Sequence, residues 1–212
     1  MNEFLAPGNF IDSSDSGVVE FSKKNSAGTT DRERAVALYY AVRDGIRYNP
    51  FLDFSDPEAF RASAVLKAGQ GFCIGKAALL AASARAAGIA ARVGFADVKN
   101  HLTTPKLAET MGTDLFVYHG YAEVYVEGHW VKATPAFNLA LCRKFRVKPL
   151  EFDGRSDSIF HAFDEDERRH MEYLRDRGSY ADVPTAQIQQ AFRETYPKFY
   201  QLGRDAAKET FA

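Results

Sequence analysis

The chain has 212 residues, 46% of them hydrophobic and 13% aromatic, which is enough for one well-filled core and too short to make two domains the default. Its 27 Lys plus Arg against 28 Asp plus Glu leave a formal charge of −1, so the positive field that gathers nucleic acid or anionic lipid is missing. The amino-terminal stretch has no basic and apolar leader pattern, and no run of about 18 apolar residues occurs anywhere, which predicts a cytoplasmic protein that stays off the membrane. Cys73 and Cys142 are too few for a disulfide framework and lack zinc-ligand spacing, so any cysteine chemistry is that of a single thiol, and neither metal nor cofactor is expected. Composition says nothing about oligomeric state.

Residues 1–29 carry Ser, Asp, Gly and Asn between short apolar pieces such as Val18, Val19 and Phe21, and predict an extended arm. A helix opens at Thr30, where Thr30 and Glu33 form a capping box, and Ala35, Leu38, Tyr39, Val42 and Ile46 recur at helical spacing up to a stop at Gly45. Ser55-Asp56-Pro57-Glu58 starts a second, shorter helix that ends before Gly69. Gln70-Gly71-Phe72 is a flexible approach to a third helix, from Cys73 to Gly88, which is apolar almost all round and therefore belongs in the middle of a fold. Strands follow at Ala90–Val98, Phe116–Val126 and Trp130–Ala136, the last two joined as a hairpin across Glu127-Gly128. Asp164–Arg177 and a segment from Pro184 that carries Ile188, Ala191, Phe192 and Tyr196 predict further helices. Helices, then sheet, then a helical tail indicate an α+β protein.

Cys73 falls at the N-terminus of a buried helix, where free N–H groups and the helix dipole stabilise a thiolate or the oxyanion of a tetrahedral intermediate. Gln70, three residues upstream, is a candidate side-chain donor to the same oxyanion. Of the five histidines, His119 opens the hairpin. With Glu127-Gly128 as a two-residue turn, Tyr125 pairs with Trp130, Tyr121 with Thr134 and His119 with Ala136, which puts His119, Thr134 and Asn138 on one face. Thr134 and Asn138 are then the diagonal neighbours able to orient the imidazole. His161 and His170 flank Asp164–Glu167, a pattern that fits a solvated helix start better than a metal site. Cys142 reads as a packed residue, Lys144, Arg146 and Lys148 as a solvated strand edge, and Phe192, Tyr196, Phe199 and Tyr200 as the residues that dock the tail.

Several motifs together resemble the transglutaminase-like superfamily, which has the papain-like cysteine-protease fold. They are the helix ending Ile46-Arg47-Tyr48, Gly71-Phe72-Cys73 with its helix, Ala84-Arg85-Ala86-Ala87-Gly88-Ile89-Ala90-Ala91-Arg92-Val93, and His119-Gly120-Tyr121-Ala122-Glu123-Val124 leading to Trp130-Val131. The resemblance covers roughly residues 30–138 and implies a core of helices packed on an antiparallel sheet; with the length and composition read above, the expectation is a single unit with residues 1–29 as an arm and 139–212 as a helical extension packed on the core. It makes Cys73 the nucleophile and His119 the base, and gives Arg85 and Arg92 to a helix–strand turn. One position departs: where the family strand ends in Asp-Pro, this chain reads Thr134-Pro135. A hydroxyl orients an imidazole without charge, so the third role falls to Thr134 or, as in Cys-His-Asn enzymes, to Asn138.

The function so implied is a cysteine-dependent hydrolase or acyl transferase that acts on peptide or protein amides through a thioester on Cys73, with hydrolysis favoured by the likeness to small intracellular relatives. The rival is a non-catalytic domain that binds a peptide in the same groove, for which the missing carboxylate at Thr134 is the chief argument.

Overall fold

The computed structural model describes residues 1–100, 109, 111–159, 171–198 and 200–201. The helices are α1 (Ser16–Asn25), α2 (Asp31–Gly45), α3 (Ala62–Ala68), α4 (Cys73–Ala86), α5 (Leu139–Phe145) and α6 (Thr185–Thr195), and the strands are β1 (Arg47–Tyr48), β2 (Gln70–Gly71), β3 (Ala91–Asn100), β4 (Leu115–Val126), β5 (His129–Ala133) and β6 (Met171–Tyr180). β1 and β2 form a small parallel pair, while the other four strands make an antiparallel sheet in the order β5-β4-β3-β6.

α4 is the axis of the molecule, buried at every position from Cys73 to Arg85, with α1, α2, α3, β3 and β4 packed around it. This is what an all-round apolar helix requires, since no face of it gains from contact with water. Two charges lie within this packing. Lys76 donates from Nζ to the carbonyls of Arg43 at 2.9 Å and Ile46 at 2.6 Å, at the end of α2, and burial lowers its pKa to about 7. Arg85 donates to the carbonyls of Ala91 at 2.9 Å, Ala6 at 2.6 Å and Ala181, so it ties the helix–strand turn to the N-terminal segment and to the residue that follows β6. In each case backbone oxygens replace the lost water, the condition on which a buried cation is tolerated.

Near the turn the hairpin register is as the turn arithmetic requires, with Val126 opposite His129, Tyr125 opposite Trp130 and Ala122 opposite Ala133, but the expected pairs Tyr121–Thr134 and His119–Ala136 do not form. β5 stops there, because Thr134 and Pro135 leave the ladder and the amide of Thr134 turns to the carbonyl of Ser158 at 2.8 Å. The capping box of Thr30 and Glu33 is present.

Several local expectations give way to tertiary packing. Residues 1–29 are not simply extended: Asp15 caps α1 through the amides of Gly17 and Val18, and Val18 and Ser22 face inward, with Ser22 Oγ donating to the Ser83 carbonyl at 2.8 Å. The predicted second helix divides into a 3-10 turn at Pro57–Phe60 and α3, because Arg61 is extended and the next amide, of Ala62, goes to the Phe10 carbonyl at 2.9 Å. Gln70-Gly71 is a short strand rather than a flexible lead. Of the predicted helix over 164–177, the part from Met171 is strand β6, which runs on to Tyr180 as the sheet edge beside β3, so the C-terminal extension is helical only in part. β6 is exposed or half-buried at every position after Met171, Tyr173 and Leu174 included, so no alternation of apolar and polar residues marked the strand. Residues 164–170, His161 and Phe199 lie outside the described residues. Lys144 lies on α5 and Arg146 ends it in the left-handed region, so these basic residues border a helix, not a strand edge. No helix among the described residues is long and apolar enough to cross a membrane.

Candidate active site

Cys73 is the first residue of α4, and no side chain caps that helix end. Its sulfur is instead approached by the backbone amides of Gly120 and Ile74. The Gly120 contact exists because that residue is glycine: a Cβ there would lie 2.8 Å from Ile74 Cα and 3.0 Å from Ile74 Cγ1, closer than real contacts allow, so only a bare backbone lets β4 lie against the first turn of α4.

A helix end by itself predicts a lowered thiol pKa. Here burial prevails over the amides and pushes the Cys73 thiol up to about 11. The resting group is a neutral thiol with donors in place. Cys73 and His119 line one cavity of about 50 Å3, otherwise walled by Tyr48, Phe54, Phe72, Phe116, Phe192 and Tyr196 among others. Phe192 meets Phe54 edge-on with centroids 5.2 Å apart, while Tyr196 donates to the Leu115 carbonyl at 2.9 Å and accepts from the Val117 amide at 2.5 Å. Thus the aromatic residues of the tail both dock it on the core and roof the thiol. Tyr48 also faces this space, with burial and the Cys73 and Tyr196 groups all raising its phenol pKa. A wider hollow of about 780 Å3, lined by residues of α1 and α3, holds no cysteine or histidine.

The other three residues singled out from the sequence have partners elsewhere and do not line this cavity. Thr134 is buried, its Oγ1 donates to the Ile159 carbonyl at 2.7 Å, and its own carbonyl accepts from Tyr39 at 3.2 Å. Asn138 precedes α5 without capping it, and its Oδ1 accepts from the Tyr48 amide at 3.3 Å. Gln70 Oε1 accepts from the Arg47 guanidinium and from Asn49 Nδ2 at 3.4 Å. The segment after α5 lies against α2, where Arg43 Nη1 and the Tyr39 hydroxyl each donate to the Leu150 carbonyl at 2.8 Å, and then against the end of β5 through Ser158. Cys142 is buried on α5, its sulfur 3.8 Å from the Phe137 carbonyl.

Sequence reasoning missed Asp97, Tyr48 and the roofing role of Phe192 and Tyr196. Asp97 left a signal, as a carboxylate set in the apolar run from Val93 to Val98 has to find a buried partner. The other three did not, because aromatic residues that roof a site and those that fill a core have the same periodicity.

With this geometry in place, the comparisons with known proteins fall into line. The family model described as the transglutaminase-like superfamily matches residues 20–135, more than half of the chain, and the chain belongs to that superfamily. Among solved structures it is similar to a candidate cysteine protease of Cytophaga hutchinsonii, at 15% identity and a TM-score of 0.47 over 84% of this chain and 53% of that one. It is also similar to a TGase, at 20% identity and a TM-score of 0.43 over 62% of this chain and 34% of that one. A candidate protease of Parabacteroides distasonis aligns at 18% identity and a TM-score of 0.39, over 55% of this chain and 22% of that one. The chain thus spans about half of the Cytophaga protein or less of the others. None of the curated proteins matches.

Proposed function

We propose that the protein is a cysteine-dependent hydrolase or acyl transferase in which Cys73 attacks a peptide or protein amide carbonyl, with hydrolysis the favoured outcome. The observation that carries this reading is that Cys73, at an uncapped helix N-terminus, shares one small cavity with His119. Because the thiol is pushed up to about 11, it attacks as a thiol: the sulfur–carbon bond forms while His119 takes the proton, the helix amides receive the carbonyl oxygen, and the leaving amine departs with the proton from the imidazolium. Water then resolves the thioester, with His119 again as base. Substitution of an amine for water would give transamidation by the same steps. The Thr134 hydroxyl, donated to Ile159, keeps lone pairs with which to accept from an imidazole N–H but adds no charge.

A cavity of this size takes a small acyl group, so p-nitrophenyl acetate is a suitable first probe. Stoichiometric acetylation of Cys73, detected by mass spectrometry and slowed strongly by His119→Ala, is the expected result. Equal acetylation of Cys73 and Cys142, or a rate indifferent to His119→Ala, overturns the reading. The rival, a non-catalytic domain that uses the groove to bind a peptide, draws on the hydroxyl of Thr134 in the carboxylate's place, and it requires that no acyl-enzyme form.

A further inference from the structure

β4 reaches His119 through a bulge. Ala96 pairs with His119 and Val98 with Phe116, so Asp97 alone stands opposite both Val117 and Tyr118, the two-against-one arrangement that re-aims a side chain. The ladder is irregular on the other side of β3 as well. Phe95 pairs with Gly178 and Ala96 with Asp176, which leaves Arg177 as the extra residue of β6. Tyr118 has φ 54, in the left-handed region that a bulky residue avoids unless its surroundings over-determine it.

The surroundings supply that constraint. The Tyr118 amide, left without a ladder partner by the bulge, donates to Asp97 Oδ1 at 3.0 Å. Arg177 grips the same carboxylate with Nε at 3.0 Å from each oxygen and Nη2 at 2.7 Å from Oδ2. Its guanidinium carbon lies 4.7 Å from the Tyr118 ring centroid. Asp97 is buried, so the fork also supplies the charge partner that a buried carboxylate needs. His119 is the next residue along the chain. Relaxation of Tyr118 to an ordinary negative φ would rotate the peptide between them and swing the imidazole away from its present direction.

We propose that Asp97, clamped by Arg177, is a positioning residue that holds Tyr118 in its left-handed conformation and so aims His119 at Cys73; this rests on the Cys73–His119 reading above. The test is the pH–rate profile of Cys73 acetylation by p-nitrophenyl acetate in the wild type and in Asp97→Ala, Asp97→Asn and Arg177→Met. Loss of aim lowers the plateau rate of Asp97→Ala by about ten- to a hundredfold, the usual cost of a misplaced reacting group. Asp97→Asn keeps an acceptor for the Tyr118 amide and recovers most of that loss. Arg177→Met removes the clamp from a partly exposed position and lowers the plateau about tenfold, on the scale of a lost supporting partner, which keeps the proposal testable should Asp97→Ala fail to fold. A purely electrostatic role gives a different pattern, because loss of the carboxylate and loss of the guanidinium would shift the profile in opposite directions at an unchanged plateau. That pattern, an Asn variant as slow as the Ala variant, or full plateau rates in Asp97→Ala or in Arg177→Met overturns the proposal. Absence of His119-dependent acetylation in the wild type overturns the underlying reading instead.

Discussion

The first turn of α4 and the middle of α5 each bury one cysteine, and in both places burial pushes the thiol pKa upward. The difference lies in what faces the sulfur. Cys142 sits inside a helix with a carbonyl oxygen 3.8 Å away, a group that disfavours a thiolate, while Arg43, Lys76 and its own amide favour one. Among the described residues, no histidine is one of the groups that act on it. Cys73 faces amides from α4 and β4 and shares a cavity with an imidazole. Burial therefore does not separate a packing cysteine from a candidate nucleophile; a histidine that shares the cavity does.

The most direct way to break this comparison is to delete each sulfur. Cys73→Ala should abolish acyl transfer by at least about a thousandfold, on the scale seen when a nucleophile is removed, while Cys142→Ala should leave the rate within about twofold and cost only packing stability. A comparable loss in both variants, read from steady-state rates, would make the two sites equivalent.

Removal of the roof should sharpen the contrast. Phe192 is 6% exposed over the cavity, so Phe192→Ala should cost about 3–5 kcal/mol of stability and admit water to Cys73. Its thiol pKa should then fall from about 11 toward the ordinary value of about 8.5, each unit giving about tenfold more thiolate at neutral pH. Iodoacetamide should alkylate Cys73 correspondingly faster in this variant, with Cys142 unaffected. An unchanged ratio of the two rates would show that burial by α6 does not control the thiol.

Gly120→Ala tests the donor side. The added methyl would have to displace Ile74, whose Cα would lie 2.8 Å away, and overpacking of this kind costs about 1–3 kcal/mol. Denaturant unfolding should show that loss, and acyl transfer should fall further than stability because the amide is carried away from the sulfur. Retention of the rate in a destabilised variant would remove Gly120 from the site.

An effect comparable in size with that of Gly120→Ala, and visible only as a pH dependence, concerns the same helix one turn on. The pKa of Lys76 is lowered to about 7 by burial, against about 10.4 in an unfolded chain. Between pH 7 and 9 the unfolded state then binds more protons than the folded one, so this group makes stability rise with pH, by up to about 1.4 kcal/mol per unit. Above pH 9 the buried thiols, whose pKa values are raised, pull the other way. In urea unfolding the stability of the wild type relative to Lys76→Met should rise from pH 7 to pH 9. A constant margin would mean that Lys76 stays charged.

The residue pattern alone determined a good deal. The α4 run of Ala and Leu demanded a central helix, Thr30 and Glu33 set the start of α2, and Glu127-Gly128 set the hairpin register, because each of these is a local matter of period, cap or turn. The candidate pair Cys73 and His119 was legible as residues of the right chemistry at the start of a buried helix and on a strand, although the expected pairing of His119 with Ala136 did not form. Tertiary structure alone decided the rest. It turned 171–180 into an edge strand, since β3 offered an unpaired ladder that outweighed local preference, and it raised the Cys73 thiol by roofing it with aromatic residues from more than a hundred positions away in the chain. It also gave Thr134, Asn138 and Gln70 partners in Ile159, Tyr48 and Arg47 that lie far off in the sequence, and joined Asp97, Tyr118 and Arg177 beside His119, because a bulge leaves amides unpaired and the chain satisfies them with whatever polar group the fold brings near.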